Sequence, residues 1–107
     1  MVLRLRKKYL STVFFGFAVT VFLFPQSAFA AVVTWDGGGA NENWNTAANW
    51  SGDVAPGAAD VATFNTTSVK NATVNANINV AGINIQSGYT GIITQATGIT
   101  ITVGGSG

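Results

Sequence analysis

The chain has 107 residues, of which only 8% are charged, and its formal charge is +1. It contains neither histidine nor cysteine, which excludes Ser-His-Asp and Cys-His catalysis, zinc sites and disulfides. A chain of this length holds one small domain at most.

The first 30 residues have the three-part pattern of a secretory signal peptide. Four basic residues lie among the first eight, an apolar run follows from Leu10 to Phe24, and Ala28-Phe29-Ala30 is a small-residue cleavage pattern. The apolar run is shorter than the about 20 residues that span a membrane. We therefore predict that export machinery binds this segment, that cleavage separates Ala30 from Ala31, and that no stable membrane span remains.

Residues 31–107, which remain after this cleavage, contain one lysine and four acidic residues, a formal charge of −3. Because no basic patch is left, we predict no nucleic-acid partner. The sequence ends in Gly104-Gly105-Ser106-Gly107 directly after a predicted strand, with nothing to cover the sheet. We therefore expect it to be part of a longer protein.

The first strand is predicted at Ala31–Trp35, which is β-branched and aromatic, and the glycines at 37–39 end it. The segment 41–57 holds Trp44 and Trp50 among Asn and Ala residues and is rich in turn signals. A single helical turn before Trp50 is conceivable, but the flanking asparagines favour a loop. No helix long enough to be stable by itself is predicted after the signal peptide.

Alternation of apolar and polar residues predicts the next strands. A second strand covers Asp60–Phe64, with Val61 or Ala62 and Phe64 facing inward. A third covers Ala72–Val80, where every second residue is apolar, so that one face is buried and the other is solvated. The polar face of this strand consists of Asn75, Asn77 and Asn79.

A phase switch at Ala81-Gly82 requires a corner or a bulge, since a slip of one residue would turn every side chain to the other face. Beyond it, Gly82–Gly91 and Gly98–Gly107 share three glycines and two isoleucines at an offset of sixteen residues. This match predicts a repeating β architecture in which Ile83 lies in parallel register near Ile99.

Several residues occur in an order that resembles a known family. They are Trp35-Asp36-Gly37-Gly38-Gly39, Trp44, Asn49-Trp50, Pro56-Gly57, Asp60 and Phe64, followed by short alternating strands. Together they resemble the N-terminal passenger segment of bacterial proteins with autotransporter-associated β-strand repeats. The resemblance covers most of residues 31–107. It implies an exported, extracellular, right-handed parallel β-helix, often adhesive and often delivered by a C-terminal outer-membrane barrel.

A parallel β-helix exposes unpaired backbone only at its two ends, so its first edge needs a cap. The aromatic residues between the first two strands suit this role, and we predict that they form it: Trp35, Trp44, Trp50 and Phe64. The expected organisation is all-β, with a signal peptide at 1–30, a Trp-rich N-terminal cap at 31–70 and the first β-strand repeats at 71–107.

Two alternatives remain open. Short strands joined by glycine turns also permit a small antiparallel β-sandwich or jelly roll. If Trp35, Trp44 and Trp50 were exposed instead of buried, they could stack on sugar rings, and the chain would be a secreted carbohydrate-binding module.

The four carboxylates in loop-like sequence are the remaining chemical candidates: Asp36, Glu42, Asp53 and Asp60. Asp53 and Asp60 flank a Pro-Gly turn and could form a glycosidase pair, and all four offer the oxygen ligands that calcium needs. No further feature supports either, so we predict backbone-bonded turn residues, no catalytic residue and no cofactor. The sequence therefore predicts a non-enzymatic structural or adhesive protein, secreted or on the bacterial outer membrane, with a host surface or polysaccharide as ligand.

Overall fold

The computed structural model describes residues 30–104, and the all-β prediction is confirmed for this part of the chain. Its strands are β1 (Val32–Thr34), β2 (Val61–Phe64), β3 (Ala72–Val74), β4 (Ile78–Val80), β5 (Gly82–Ile85), β6 (Ile93–Gln95) and β7 (Ile101–Val103). The predicted signal peptide falls on residues that lie, up to Phe29, outside those described. Between residues 30 and 104 no helix has the length and apolar character needed to cross a membrane.

The strands form three small parallel sheets. β2, β3 and β4 pair in that order with β5, β6 and β7, and β1 pairs with the other edge of β2. We call β2–β4 the middle layer and β5–β7 the trailing layer. The antiparallel sandwich is wrong for the described residues, because every ladder between these strands is parallel.

The predicted sixteen-residue repeat is also wrong. Ile83 pairs with Ala62 and not with a residue around Ile99, while Ile101 pairs with Ile78. Paired residues are 21 apart between β2 and β5 and between β3 and β6, and 23 apart between β4 and β7. The sixteen-residue match compares two segments of the trailing layer, whereas the backbone pairs only after the chain has passed through all three strands of a layer.

The predicted third strand is divided into β3 and β4 by the residues Asn75–Asn77. Alternation nevertheless continues across the break, because Ala72, Val74 and Val80 are all buried. The chain then bends at Ala81 and enters β5 at the next residue, which confirms the predicted corner.

The loop prediction for 41–57 is wrong over one short stretch. A 3₁₀ turn forms at Ala47–Asn49, where the Asn49 N–H donates to the Thr46 carbonyl and the Trp50 N–H to the Ala47 carbonyl. Asparagine disfavours helical turns when its side chain competes for nearby backbone groups. Here the Asn49 side chain is buried and bonded to a different segment, so that competition is removed.

The core is closed at the β1 end and open at the trailing layer. Its buried apolar residues are Trp35, Trp44, Trp50, Ala62, Phe64, Ala72, Val74 and Val80. By contrast, Ile85 lies opposite the fully buried Phe64 and is 60% exposed, and Val103 lies opposite the fully buried Val80 and is 53% exposed. Side-chain burial therefore decreases sharply from a middle-layer strand to the trailing-layer strand paired with it.

Candidate functional site

The four predicted cap residues form one buried aromatic cluster. Trp50 is at its centre, with ring centroids 5.1 Å from Trp35, 4.7 Å from Trp44 and 5.7 Å from Phe64. All three pairs are edge-to-face, which stabilises by about 0.5–1.5 kcal/mol per pair beyond burial of area. Tyr89 extends the cluster over the other side of Phe64 at 5.2 Å. None of the three indoles exposes a face to solvent.

The indole N–H groups of this cluster differ in their bonding. Trp50 Nε1 donates to the Trp44 carbonyl at 2.6 Å. Trp35 Nε1 and Trp44 Nε1 are buried and have no acceptor among the described residues. Trp50 therefore joins two parts of the 41–57 segment as well as filling space.

The outer edge of β1 is satisfied by the chain that follows the 3₁₀ turn. Ser51 N–H donates to the Thr34 carbonyl at 2.8 Å, and Thr34 N–H donates to Ser51 Oγ at 3.0 Å. One residue on, Trp35 and Trp50 form an antiparallel bridge. Because an unpaired edge strand readily recruits another strand, this segment closes the first sheet at its leading side.

The sheet of β3 and β6 has a leading edge of its own. Trp44 N–H donates to the Thr73 carbonyl, and Thr73 N–H donates to the Glu42 carbonyl, which places the 42–44 segment alongside β3. Asn43 has its backbone groups occupied too: its N–H donates to Asn41 Oδ1 at 3.1 Å, and its carbonyl accepts from Asn49 Nδ2 at 2.9 Å. Side-chain amides thus take the place of a further strand.

Asn49 is the residue that joins these parts. Its Oδ1 accepts from the Gly39 N–H at 2.8 Å, and its Nδ2 donates to the Asn41 and Asn43 carbonyls, both at 2.9 Å. The side chain is fully buried, so these bonds replace water that it cannot reach. In the sequence, Asn49 stands out only as part of the Asn49-Trp50 motif. The sequence feature that could have indicated its structural role is its position between two alanines and a tryptophan.

Two of the four carboxylates have the predicted turn role. Asp36 Oδ1 accepts from the Gly38 N–H at 3.0 Å, and Asp60 Oδ2 accepts from the Gly57 N–H at 2.8 Å. Asp53 instead adopts a positive φ of 55° at a tight turn after Trp50. Over residues 30–104, no three acidic, His or Cys side chains come together as a metal site would require.

A shallow polar recess of about 260 Å³ is lined by residues 39–42 and Lys70. Lys70 Nζ donates to the Gly37 carbonyl at 2.6 Å, and Tyr89 Oη donates to the Lys70 carbonyl at 2.8 Å. Burial, and secondarily the Glu42 carboxylate, raise the pKa of Tyr89 above its ordinary value of 10.0. These bonds hold the recess to the core.

The two predicted cleavage residues are both exposed. The Ala31 carbonyl accepts from the Val61 N–H at 2.8 Å, so the first residue after the predicted cut already belongs to the β1–β2 ladder. Comparison with known proteins gave no match among protein-family models, curated proteins or solved structures.

Proposed function

We propose that this chain is an exported, non-enzymatic structural segment, the capped start of a right-handed parallel β-solenoid that is secreted or displayed on a bacterial surface. The observation that carries the proposal is the strand order. β2, β3 and β4 pair in sequence with β5, β6 and β7, as expected of a chain that winds repeatedly around one core. Parallel crossovers within one sheet are right-handed in nearly all proteins.

The contrast between the two ends supports the capping role. At the leading end, backbone and asparagine amides occupy the outer edges of β1 and of the 42–44 segment. The aromatic cluster fills the core beneath them. A repeat protein needs such an atypical first unit, because its terminal repeat otherwise exposes edge and core together.

A structural role also suits the chemistry of the described residues. They contain no histidine or cysteine, and Asp36 and Asp60 hold turns together. The carbohydrate-binding alternative receives no support from the geometry, because a sugar cannot stack on indoles that are 0–1% exposed. The adhesive role, the autotransporter-type delivery and a host-surface or polysaccharide ligand rest on the resemblance to β-strand repeat proteins.

Export is tested by expressing the full chain with its own N-terminus in a Gram-negative bacterium. We expect the product outside the cytoplasm with Ala31 as its first residue, determined by N-terminal sequencing. Replacing both Ala28 and Ala30 by leucine removes the small residues that signal peptidase requires and should leave the product uncut. The matched control Ala31→Leu should be processed normally. An uncut cytoplasmic product from the unaltered chain would contradict export.

Adhesion is tested separately with the same purified product. Binding to host cells and to a polysaccharide array is measured against heat-unfolded protein. Saturable binding of the folded form alone supports the adhesive role, and its absence on every surface leaves a structural role only.

A further inference from the structure

The backbone nitrogen at the predicted cleavage site lies beside a carboxylate. The Ala31 N–H donates to Asp60 Oδ1 at 3.4 Å. We propose that cleavage after Ala30 creates an ion pair between the new ammonium group of Ala31 and the Asp60 carboxylate, and that this pair fastens the start of β1 to the corner before β2. The inference rests on the proposed export and goes beyond it, because export by itself requires no partner for the new terminus.

Cleavage changes the chemistry of this nitrogen. Hydrolysis of the bond between Ala30 and Ala31 consumes one water molecule, leaves a carboxylate on Ala30 and gives Ala31 a free α-amino group. Such groups ordinarily have a pKa of about 7.7–8.0, so at neutral pH most of them are protonated and positively charged. The amide has one hydrogen and no charge, whereas the ammonium group has three hydrogens and rotates. Because charged N–H donors lie about 2.7–2.9 Å from carboxylate oxygens, we expect the distance of 3.4 Å to shorten.

The Asp60 carboxylate is already held in position by the chain around it. Its second oxygen, Oδ2, accepts from the Gly57 N–H at 2.8 Å. The backbone of Asp60 is bonded on both sides, since its N–H donates to the Gly57 carbonyl at 3.0 Å and its carbonyl accepts from the Ala81 N–H at 2.9 Å. Exposed ion pairs are weak partly because two mobile side chains must be ordered. Here that cost is small, because the carboxylate is ordered and the cation is part of the backbone.

The first residue after the cut is held close to this carboxylate. The Ala31 carbonyl accepts from the Val61 N–H at 2.8 Å, and the next residue, Val32, pairs with Val61 in the first ladder. No other side-chain cation of residues 31–107 competes for Asp60, because Lys70 is the only basic residue there and its Nζ donates to the Gly37 carbonyl. The new terminus therefore has one carboxylate within reach, and that carboxylate has one cation.

The reactivity of the terminal amine in the exported, cleaved product tests the ion pair. Near pH 7, acetic anhydride acetylates α-amino groups in preference to lysine side chains, because fewer lysines are deprotonated, and mass spectrometry follows the reaction. Pairing keeps the amine protonated, so Asp60→Asn should raise the acetylation rate about two- to fivefold, as expected for an exposed ion pair. Asparagine retains an oxygen acceptor for the Gly57 N–H. The matched control Asp53→Asn removes the same charge at an exposed turn and should leave the rate unchanged.

Salt provides a second readout that needs no folded variant. Because dissolved ions screen an exposed pair, high NaCl should raise the acetylation rate of the unaltered protein and leave that of Asp60→Asn unchanged. Tryptophan fluorescence verifies folding.

N-terminal sequencing separates this inference from export. A product that begins at Ala31 but has an acetylation rate independent of salt, or equal rates in the unaltered protein and both variants, would overturn the ion pair and leave export standing. A product that begins at any other residue would overturn both.

Discussion

At the scale of single residues, the leading end depends on the amide of Asn49. It bonds to three backbone groups, six to ten positions earlier in the chain, that no strand reaches. Only an amide of this size offers an acceptor on one side and two donors on the other. A glycine at position 39 leaves room for it, because a Cβ there would lie 2.7 Å from Asn49 Oδ1.

Asn49→Asp replaces two donors by an oxygen that faces two carbonyls. With about 1–3 kcal/mol for each orphaned buried group, the free energy of unfolding should fall by about 3 kcal/mol or more. Urea unfolding followed by tryptophan fluorescence measures it. The control is Asn79→Asp, which introduces the same charge at an exposed position on β4 and should change stability little. Equal effects of the two substitutions would refute the role of Asn49.

The three tryptophans can be compared by a substitution that removes the same side-chain volume at each site. Replacing each one by phenylalanine creates a similar cavity, but only Trp50→Phe also removes a hydrogen bond, from the Trp44 carbonyl. Trp35→Phe and Trp44→Phe delete N–H groups that lack an acceptor. Trp50→Phe should therefore be more destabilising by about 1–3 kcal/mol. The midpoint of thermal unfolding ranks the three, and a lowest midpoint for Trp35→Phe would contradict the assignment.

The raised pKa of Tyr89 predicts a loss of stability in alkali. Because the folded pKa is above the unfolded value, this group contributes stability that is complete below pH 10.0 and disappears as the pH rises through the folded pKa. Tyr89→Phe should be less stable at neutral pH, having lost its bond to the Lys70 carbonyl, but its melting temperature should fall less between about pH 9 and 12. Parallel curves for both proteins would count against burial of this phenol.

The side-chain contacts of the leading end could be predicted from the sequence only in part. Burial of Trp35, Trp44, Trp50 and Phe64 followed from their size in a chain with few other large apolar residues. The bonds of Asn41 and Asn49 could not be predicted, because asparagine is also a common turn residue and its partners are set by tertiary contact.

At the scale of elements, asparagines between the strands fasten one layer to the next. Asn71 Oδ1 accepts from the Ile92 N–H at 2.9 Å, just before β6, and Asn77 Oδ1 accepts from the Thr100 N–H at 2.8 Å, just before β7. Each bond crosses from the chain beside a middle-layer strand to the chain beside its trailing partner. The asparagines thus help to set the register between layers.

Asn71→Ala should raise the hydrogen-exchange rate of the Ile92 amide, and Asn77→Ala that of Thr100, because each loses its acceptor. Each substitution should cost about 0.5–1.5 kcal/mol. Exchange measured by NMR at the two amides gives a crossed control, since each variant should leave the other amide unchanged. Asn84→Ala, at an exposed position on β5, should alter neither. Equal acceleration at both amides would indicate general loosening instead of local fastening.

The positions of most strands were predictable, although β6 was not predicted, and strand partners were not predictable. β-Branched and aromatic composition identified β1. Period-two alternation identified β2 and the buried residues of β3 and β4, because it reports which face is apolar. It carries no information on which strand lies alongside. The sixteen-residue similarity was misleading for this reason: loops of different length separate the strands, and the spacing of 21 to 23 residues leaves no simple repeat in the sequence.

At the scale of the whole molecule, the described part has a well-packed leading end and a thinly packed trailing one. The buried aromatic cluster lies under β1 and the middle layer, whereas each strand of the trailing layer has one neighbour. Local stability follows the number of buried apolar contacts. The layers should therefore open in a fixed order.

Hydrogen exchange of backbone amides tests that order. The Ala96 and Gly104 amides, which bond the trailing layer to Val74 and Val80, should exchange faster than those of Trp35 and Trp44. When the trailing layer opens, it loses only its contacts with the middle layer. Its amides should therefore exchange by local opening. Uniform exchange at all four amides would show that the layers unfold as one unit.

The absence of charged side chains after Lys70 determines how the stability of the last strands depends on salt and temperature. Screening by dissolved ions acts on charges, and none exists between Asn71 and Gly107 to be screened. The stability of the last strands should therefore be nearly the same at low and at high ionic strength. Cold should weaken it instead, because burial of isoleucine and valine is less favourable at low temperature.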